Sequence, residues 1–221
     1  MLQNKKDLIY ILLAGFFITN ALMGEMIGGK LIQVGPYTLS AGIIPWPFVF
    51  LTTDLINEYF GKKGVRRLTF ITAGLILYAF LLIYLGMQFS AVSFSPVSND
   101  AFNKVFGQSM WIIIGSLTAF LTSQLVDVIV FITIRKKTGT KLLWLRATGS
   151  TIVSQLIDTF IVGGIAFWLP GKIMFSEYLN MSWSGYTAKL LIAIGLTPVI
   201  YVAHHIINRY FKPDHEMGSA S

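Results

Sequence analysis

The composition of this chain is that of a protein embedded in a membrane. Of its 221 residues, 54% are hydrophobic and 12% are charged, and the mean hydropathy is +0.67. An ordinary globular protein has about 25% charged residues, so this apolar excess is too large for a soluble core of this size. The chain has no cysteine, which excludes a disulfide scaffold, thiol catalysis and cysteine-ligated metal sites. Seventeen Lys and Arg against ten Asp and Glu give a net charge of +7.

Six runs of the sequence are long and apolar enough to form transmembrane helices, since a helix needs about 20 apolar residues to cross the hydrocarbon core. Runs such as LIYILLAGFFI do not alternate apolar and polar residues, as the strands of a membrane barrel would. The sequence therefore predicts an all-α integral membrane protein with six transmembrane helices, at residues 8–27, 40–59, 68–89, 109–134, 147–169 and 186–208.

The basic residues predict the orientation of these spans, because short cytoplasmic loops retain Lys and Arg. With a cytoplasmic amino terminus, thirteen of the seventeen basic residues lie on the cytoplasmic side and Lys189 lies within the sixth span. The outer side holds only Lys30, Lys104 and Lys172. Both termini are therefore predicted to be cytoplasmic. The basic residues flank the membrane, so the net charge of +7 does not indicate a nucleic-acid partner.

The two longest connections, residues 28–39 and 90–108, both fall on the predicted outer side. The first has a Gly-Pro pair within a brief alternating pattern, which favours a small hairpin or a re-entrant segment. The second is compatible with a short amphipathic helix. Neither is long enough for a domain, so residues 1–216 are expected to form a single six-helix domain. Residues 217–221, MGSAS, are interpreted as an expression remnant.

A five-residue segment of the fourth span recurs in the fifth. Residues 123–127 read SQLVD and residues 154–158 read SQLID. Consecutive spans run in opposite directions, so the two copies point oppositely across the membrane. This is the pattern of an inverted repeat, which is common in transporters with a binding site at the membrane midplane. A chance match between two short helical segments is the alternative.

Several ionisable side chains lie within the predicted spans, where a charge costs about 2.5–3.5 kcal/mol on insertion scales. Three helices each place an amide and a carboxyl three residues apart, on one helical face. Intramembrane charges of this kind are by default functional candidates. The predicted binding residues are Asp54, Asn57 and Glu58 in the second span, Gln124 and Asp127 in the fourth, Gln155 and Asp158 in the fifth, and Lys189 in the sixth.

Carboxylates beside carboxamides suit a flat heterocycle that presents N–H donors next to carbonyl acceptors. A cation alone would be satisfied by the carboxylates and would not require the amides. Lys189 is expected to pair with one of the carboxylates. Glu58 has an alternative as an ion-pair partner of Lys62 or Arg66. Aromatic residues could stack on such a ligand or merely pack, namely Trp46, Phe48, Phe50, Phe160 and Trp168.

An enzyme is the less favoured interpretation. An intramembrane aspartyl protease needs two aspartates on neighbouring helices, which Asp127 and Asp158 satisfy formally. However, a Gln lies beside each Asp and no Gly-rich loop accompanies either of them. The sequence indicates no cofactor and no metal site. The oligomeric state stays open, with a homodimer as one alternative.

Three segments resemble the bacterial queuosine precursor transporters, also called the vitamin uptake transporter family. They are PWPFVFLTTDLINEYFGKKGVRR at residues 45–67, SQLIDTFIV in the fifth span and YTAKLLIAIGLTP at residues 186–198. The sequence departs from the family at Trp46, where Phe is expected. The resemblance implies a transporter in the bacterial inner membrane that imports 7-cyano-7-deazaguanine and 7-aminomethyl-7-deazaguanine for tRNA modification. The alternatives are a facilitator or channel for another nucleobase or vitamin, or a membrane subunit of an energised uptake complex.

Overall fold

The computed structural model describes residues 5–35, 37–107, 110–139 and 142–211, so the predicted span start at Ser109 and residues 217–221 lie outside the described residues. A 3-10 turn (Ala41–Ile43) precedes the second helix, and a π-helical turn (Gly164–Trp168) extends the fifth. The predicted all-α class is confirmed. The elements are α1 Lys5–Ile27, β1 Leu31–Val34, β2 Tyr37–Ser40, α2 Trp46–Met87, α3 Asn99–Phe106, α4 Met110–Thr138, α5 Leu143–Gly163 and α6 Phe175–Phe211.

In the described part of the chain, five helical stretches are long and apolar enough to cross a membrane. They contain α1, α2, α4, α5 and α6, each at or near a predicted span. The second and third predicted spans, residues 40–59 and 68–89, both lie largely within α2, which is why the structure has five such stretches where the sequence predicts six. Many large apolar side chains on these helices are exposed, as expected of surfaces that face lipid; examples are Leu12, Leu77, Leu81, Leu191 and Ile206.

The helix α2 is interrupted at Gly61, which divides it into a first part, residues 46–60, and a second part, residues 62–87. Gly61 has φ 69° and ψ −179°, a conformation that is essentially restricted to glycine. Tyr10 of α1 contacts both sides of this break. Its ring lies 5.0 Å from the ring of Phe60, and its hydroxyl donates to the carbonyl of Gly64 at 3.1 Å. A straight helix of 42 residues would be about 63 Å long, twice the thickness of a hydrocarbon core.

The helices α1, α4, α5 and α6 all pack against α2. The helix α1 runs antiparallel to the first part of α2, because Gly24 lies against the Trp46 ring and Tyr10 contacts Phe60. The helices α4 and α5 form the most extensive helix pair. Between α5 and α6, the hydroxyls of Thr148 and Thr197 hydrogen-bond at 3.1 Å. The apolar core includes Phe17, Val49, Ile56, Phe120, Val128 and Phe131.

Both long connections contain the small elements that the sequence suggested. The strands β1 and β2 pair antiparallel, with Val34 opposite Tyr37, which confirms the hairpin alternative for residues 28–39. The Ser40 hydroxyl donates to the carbonyl of Gly28 at 2.6 Å and so ties the hairpin to the end of α1. The short helix α3 is capped by the Ser98 side chain, which accepts from the backbone N–H of Ala101 at 3.2 Å.

Candidate binding site

A cavity of about 50 Å³ lies between the first part of α2, α5 and α6. This volume is below the range of about 300–1,000 Å³ that is typical of small-molecule sites, so a ligand of nucleobase size would require the helices to move apart. The pocket walls are mostly apolar and carry a few polar groups, which is the usual composition of a ligand site. The polar lining residues are Asp54 on α2, Thr148, Thr151 and Gln155 on α5, and Lys189 and Thr197 on α6.

Three of the eight predicted site residues line this pocket, namely Asp54, Gln155 and Lys189. No lining residue comes from α4 in the described residues, so the pocket borders three of the four spans that were expected to form it. The α4 side chains Gln124 and Asp127 are completely buried in the packing between helices. The predicted site residues are therefore divided between the pocket wall and a polar layer that is buried between helices.

Lys189 forms an ion pair with Asp158, which agrees with the prediction that Lys189 pairs with one of the carboxylates. The Lys189 ammonium lies 2.7 Å from Oδ2 of Asp158, and both side chains are largely buried. The other carboxylate oxygen, Oδ1, accepts from the Ser123 hydroxyl of α4 at 3.4 Å. The pair therefore connects α4, α5 and α6 beside the pocket.

The two SQLxD segments, residues 123–127 and 154–158, bind each other reciprocally. Ser123 donates to Asp158 of the other segment, and Ser154 donates to Oδ1 of Asp127 at 3.0 Å. Such a pairing requires α4 and α5 to run antiparallel with the segments side by side. The two aspartates that a protease would bring together thus each bind a serine of the opposite helix.

Asp54 and Asp127 occupy a buried layer between α2, α4 and α5. The two carboxyls are close enough to interact electrostatically, and the Ser150 hydroxyl is a hydrogen-bonding neighbour of both. On the α2–α4 side of this layer, Thr53 donates to Oε1 of Gln124 at 3.0 Å. Several polar atoms of the layer have no hydrogen-bond partner among the described residues: Oδ1 of Asp54, both side-chain polar atoms of Asn57, Nε2 of Gln124 and Oδ2 of Asp127. Nε2 of Gln155, on the pocket wall, is in the same state.

Glu58 lies one turn after Asp54 and forms ion pairs with two arginines. Its Oε1 accepts from Arg146 of α5 at 2.8 Å, and its Oε2 lies 3.7 Å from Arg135 of α4. Arg146 is completely buried and also donates to the carbonyl of Gly139 at 3.1 Å. The partners are thus on neighbouring helices and differ from Lys62 and Arg66, which the sequence suggested. This environment indicates a structural ion-pair cluster outside the pocket.

Polar contacts of Tyr59 join helices near the Glu58 ion pairs. Tyr59 of α2 is 2.6 Å from Nδ1 of His204 and donates to Oδ1 of Asn208 at 2.9 Å. Together with the Glu58 cluster, these bonds join α2, α4, α5 and α6 beyond the pocket. Polar contacts between helices therefore close the end of the pocket that is nearest to Gly61.

The aromatic candidates separate into two groups. Trp46 and Phe50 line the pocket, with ring centroids 6.4 Å apart. Phe48 instead packs edge-on against Phe16 of α1. Phe160 and Trp168 pack around Tyr178 of α6 and do not line the pocket. Only the first group is placed to stack on a ligand.

Sequence reasoning missed several residues of the site. The threonines of α5 and α6 that line the pocket are common in membrane helices and gave no signal. Glu25 of α1, which is not among the predicted site residues, is buried and accepts from the Ser116 hydroxyl of α4. Arg146 precedes the predicted fifth span, residues 147–169, but α5 begins at Leu143 and so includes it.

Long apolar helices around an internal pocket with buried carboxyl and amide groups define a multi-pass membrane protein. Residues 40–203 match the family described as "Putative vitamin uptake transporter". The chain belongs to this family, which confirms the resemblance found in its sequence. It is thus a member of a family of transporters and not of enzymes.

Three relatives carry names that specify a substrate. A protein of Bacillus subtilis (strain 168), "Probable queuosine precursor transporter", is 32% identical over 179 residues, which is 80% of this chain and 77% of the relative. A protein of the same name from Haemophilus influenzae is 29% identical over 76% of this chain and 69% of the relative. The "Queuosine precursor transporter" of Escherichia coli (strain K12) is 33% identical over 69% and 66%, respectively. No solved structure matches the chain.

Proposed function

We propose that this protein imports 7-deazaguanine precursors of queuosine, 7-cyano-7-deazaguanine and 7-aminomethyl-7-deazaguanine, across the bacterial inner membrane for tRNA modification. The observation that carries the proposal is the pocket in which Asp54, Gln155 and Lys189 face a common space next to Trp46 and Phe50. The names of the three relatives support the same substrate class.

The groups in the pocket complement the edges of a 7-deazaguanine. Its ring N–H and exocyclic amine lie side by side, and the Asp54 carboxylate can accept from both. The amide N–H₂ of Gln155 has no partner among the described residues and can donate to the ring carbonyl. Trp46 and Phe50 offer faces for stacking. Lys189, tethered by Asp158, borders the remainder of the ligand.

The other predicted residues brace this pocket in the proposal. Asn57, Gln124 and Asp127 form the buried layer behind Asp54, Asp158 holds Lys189, and Glu58 belongs to the cluster at the closed end. The pocket then needs only Asp54 and Gln155 for direct recognition of the ring edges. A lone cation would leave the Gln155 amide without a role.

The topology in this proposal has six spans with both termini in the cytoplasm. The length of α2 and its glycine-only break at Gly61 support two crossings by this helix. The basic residues Lys62, Lys63, Arg66 and Arg67 flank the break, which supports a cytoplasmic position for it. The closed end of the pocket, at Glu58 and Tyr59, is then the cytoplasmic end.

Alternating access about an inverted repeat is the proposed mechanism. The reciprocal bonds between residues 123–127 and 154–158 support a two-fold relation between α4 and α5. Opening towards the cytoplasm would require Glu58 to separate from Arg146 and Tyr59 from His204. These contacts join different helices, so a rocking motion of α5 and α6 against α2 would break them together.

The test is uptake of radiolabelled 7-cyano-7-deazaguanine by cells that lack their own precursor synthesis. Wild type is compared with Asp54→Asn and Gln155→Leu, and Asp100→Asn serves as a matched control because Asp100 is exposed on α3. We expect uptake to fall roughly tenfold or more for Asp54→Asn, since a hydrogen bond to a charged group contributes about 1.5–3 kcal/mol. Asp100→Asn should transport like wild type.

Two outcomes would contradict the proposal in different ways. Undiminished uptake by both Asp54→Asn and Gln155→Leu would exclude this pocket as the substrate site. Failure of the wild type to transport would favour another nucleobase or vitamin, or a subunit of a larger uptake complex. Thermal stabilisation of the purified protein by 7-cyano-7-deazaguanine, compared with guanine and riboflavin, distinguishes these substrates directly.

A further inference from the structure

Two carboxyl groups of the buried layer have no ion-pair partner in the described residues. Asp54 of α2 is 4% exposed and Asp127 of α4 is 0% exposed, and the two interact electrostatically. Ser150 of α5 neighbours both carboxyls, and Ser154 donates to Asp127. No ion pair connects either aspartate to a Lys or Arg in the described residues. The two groups therefore form one site whose charge the protein does not balance with its own basic side chains.

The basic groups around this site are engaged elsewhere. Arg146 of α5 and Arg135 of α4 pair with Glu58 of α2, and Lys189 of α6 pairs with Asp158 of α5. On α1, the carboxyl Glu25 binds Ser116. Besides Asp127, the charged groups that act on Asp54 are Arg146 and Glu58, which form an ion pair with each other. Neither Asp54 nor Asp127 therefore has a cation of its own among the described residues.

Two ionised carboxylates in such a place would be strongly unfavourable, because burial and like charge both oppose ionisation. One bound monovalent cation removes most of this cost. A proton needs no ligands beyond the carboxyls, whereas a metal ion needs further oxygen ligands; of the two amides in the layer, Gln124 has its oxygen engaged by Thr53, and only Asn57 has an unpartnered oxygen. Two adjacent carboxyls that share one proton are a known solution to the same problem.

The geometry points to a proton-coupling site in which Asp54 and Asp127 share one proton, and Asp54 alone also faces the substrate pocket. This inference rests on the proposed function. With the proton on Asp127, Asp54 is the single carboxylate and accepts the N–H groups of the substrate. The proton enters from pocket water through Asp54, which lines the pocket, and passes to Asp127; it leaves to cytoplasmic water when the layer opens on that side. Substrate and proton then move in the same direction.

The test uses the full chain reconstituted in liposomes with the membrane potential clamped at zero. Uptake of radiolabelled 7-cyano-7-deazaguanine is measured with the outside one pH unit more acidic, and without a gradient. A one-proton symporter can accumulate substrate up to about tenfold under this gradient. Wild type and Asp100→Asn should accumulate, whereas Asp127→Asn should only equilibrate. Exchange of labelled for unlabelled substrate without a gradient, at a rate above that of empty liposomes, shows that Asp127→Asn is folded and inserted.

The exchange assay separates this inference from the proposed function. Wild type that exchanges 7-cyano-7-deazaguanine but ignores the pH gradient overturns the proton site and leaves the substrate assignment intact. Wild type that does not exchange it overturns both. Accumulation driven by an inward sodium gradient at equal pH, and lost in Asp127→Asn, would replace the proton with sodium and also overturn the inference. Gradient-driven accumulation by Asp127→Asn equal to wild type would exclude Asp127 as the coupling group.

Discussion

The two SQLxD segments, residues 123–127 and 154–158, differ in how the charge of their aspartate is balanced. Asp158 accepts from the Lys189 ammonium at 2.7 Å and from the Ser123 hydroxyl at 3.4 Å. Asp127 accepts from the Ser154 hydroxyl at 3.0 Å and has no ion-pair partner in the part of the chain that the structure describes. One pattern of residues thus yields a neutralised aspartate on α5 and an uncompensated one on α4.

This difference shows that a repeat in sequence preserves packing contacts more readily than electrostatics. The serine-to-aspartate bonds follow from the repeat itself, because each helix supplies the same residues to the other. The cation comes from α6, which is outside the repeated segments and contacts only one of them. A cation on one side only gives the two aspartates different electrostatic environments.

The largest expected effect comes from removing the cation. Lys189→Met leaves Asp158 partly buried without its partner, and we expect the free energy of unfolding to fall by about 3 kcal/mol, the lower end for a broken buried pair. Denaturation with SDS in mixed micelles measures this. Lys104→Met is the matched control, because Lys104 pairs with Asp100 on the surface and 75% of its side chain is exposed.

A second variant tests whether that loss is electrostatic. Combining Lys189→Met with Asp158→Asn removes both charges, so most of the lost stability should return. A double variant as unstable as the sum of the two single variants would mean that Lys189 and Asp158 act independently. The ion pair would then not explain the difference between the two segments.

The comparison also shows what the sequence could predict. Buried charges stand out in apolar spans, so the sequence predicts Asp54, Asp127, Asp158 and Lys189 as site residues. The predicted pairing of Lys189 with a carboxylate is confirmed. The choice of Asp158 could not be predicted, because it depends on how α5 and α6 are rotated about their axes. Helices that are apolar on all sides carry little information about rotation.

The lack of information about helix rotation also explains the errors elsewhere in the site. The expectation for Glu58 was a partner on its own helix, since neighbours three or four residues apart can be predicted from sequence. Its actual partner, Arg146, is 88 residues away. The positions of the helices were largely predicted, as hydrophobicity and length determine them. The merging of two predicted spans into α2 reflects helical residues on both sides of Gly61, which the basic sequence there did not reveal.

The next effect in size concerns the uncompensated segment. Ser154→Ala removes a hydroxyl that donates to Asp127 in a fully buried setting. We expect the free energy of unfolding to fall by about 1.5 kcal/mol, because a buried acceptor loses one of its few donors. The same SDS titration measures the change. An unchanged stability would mean that the neighbouring Ser150 alone satisfies Asp127.

The smallest effect is expected for the matching serine of the other segment. Ser123→Ala removes a longer bond, 3.4 Å, to a carboxylate that keeps its ion pair with Lys189. The loss should be about 0.5 kcal/mol, since Asp158 is not left unsatisfied. Ser154→Ala and Ser123→Ala delete the same atom from equivalent positions, so their difference isolates the contribution of the cation. Equal losses would show that Lys189 does not relieve Asp158, and the distinction between the two aspartates would fail.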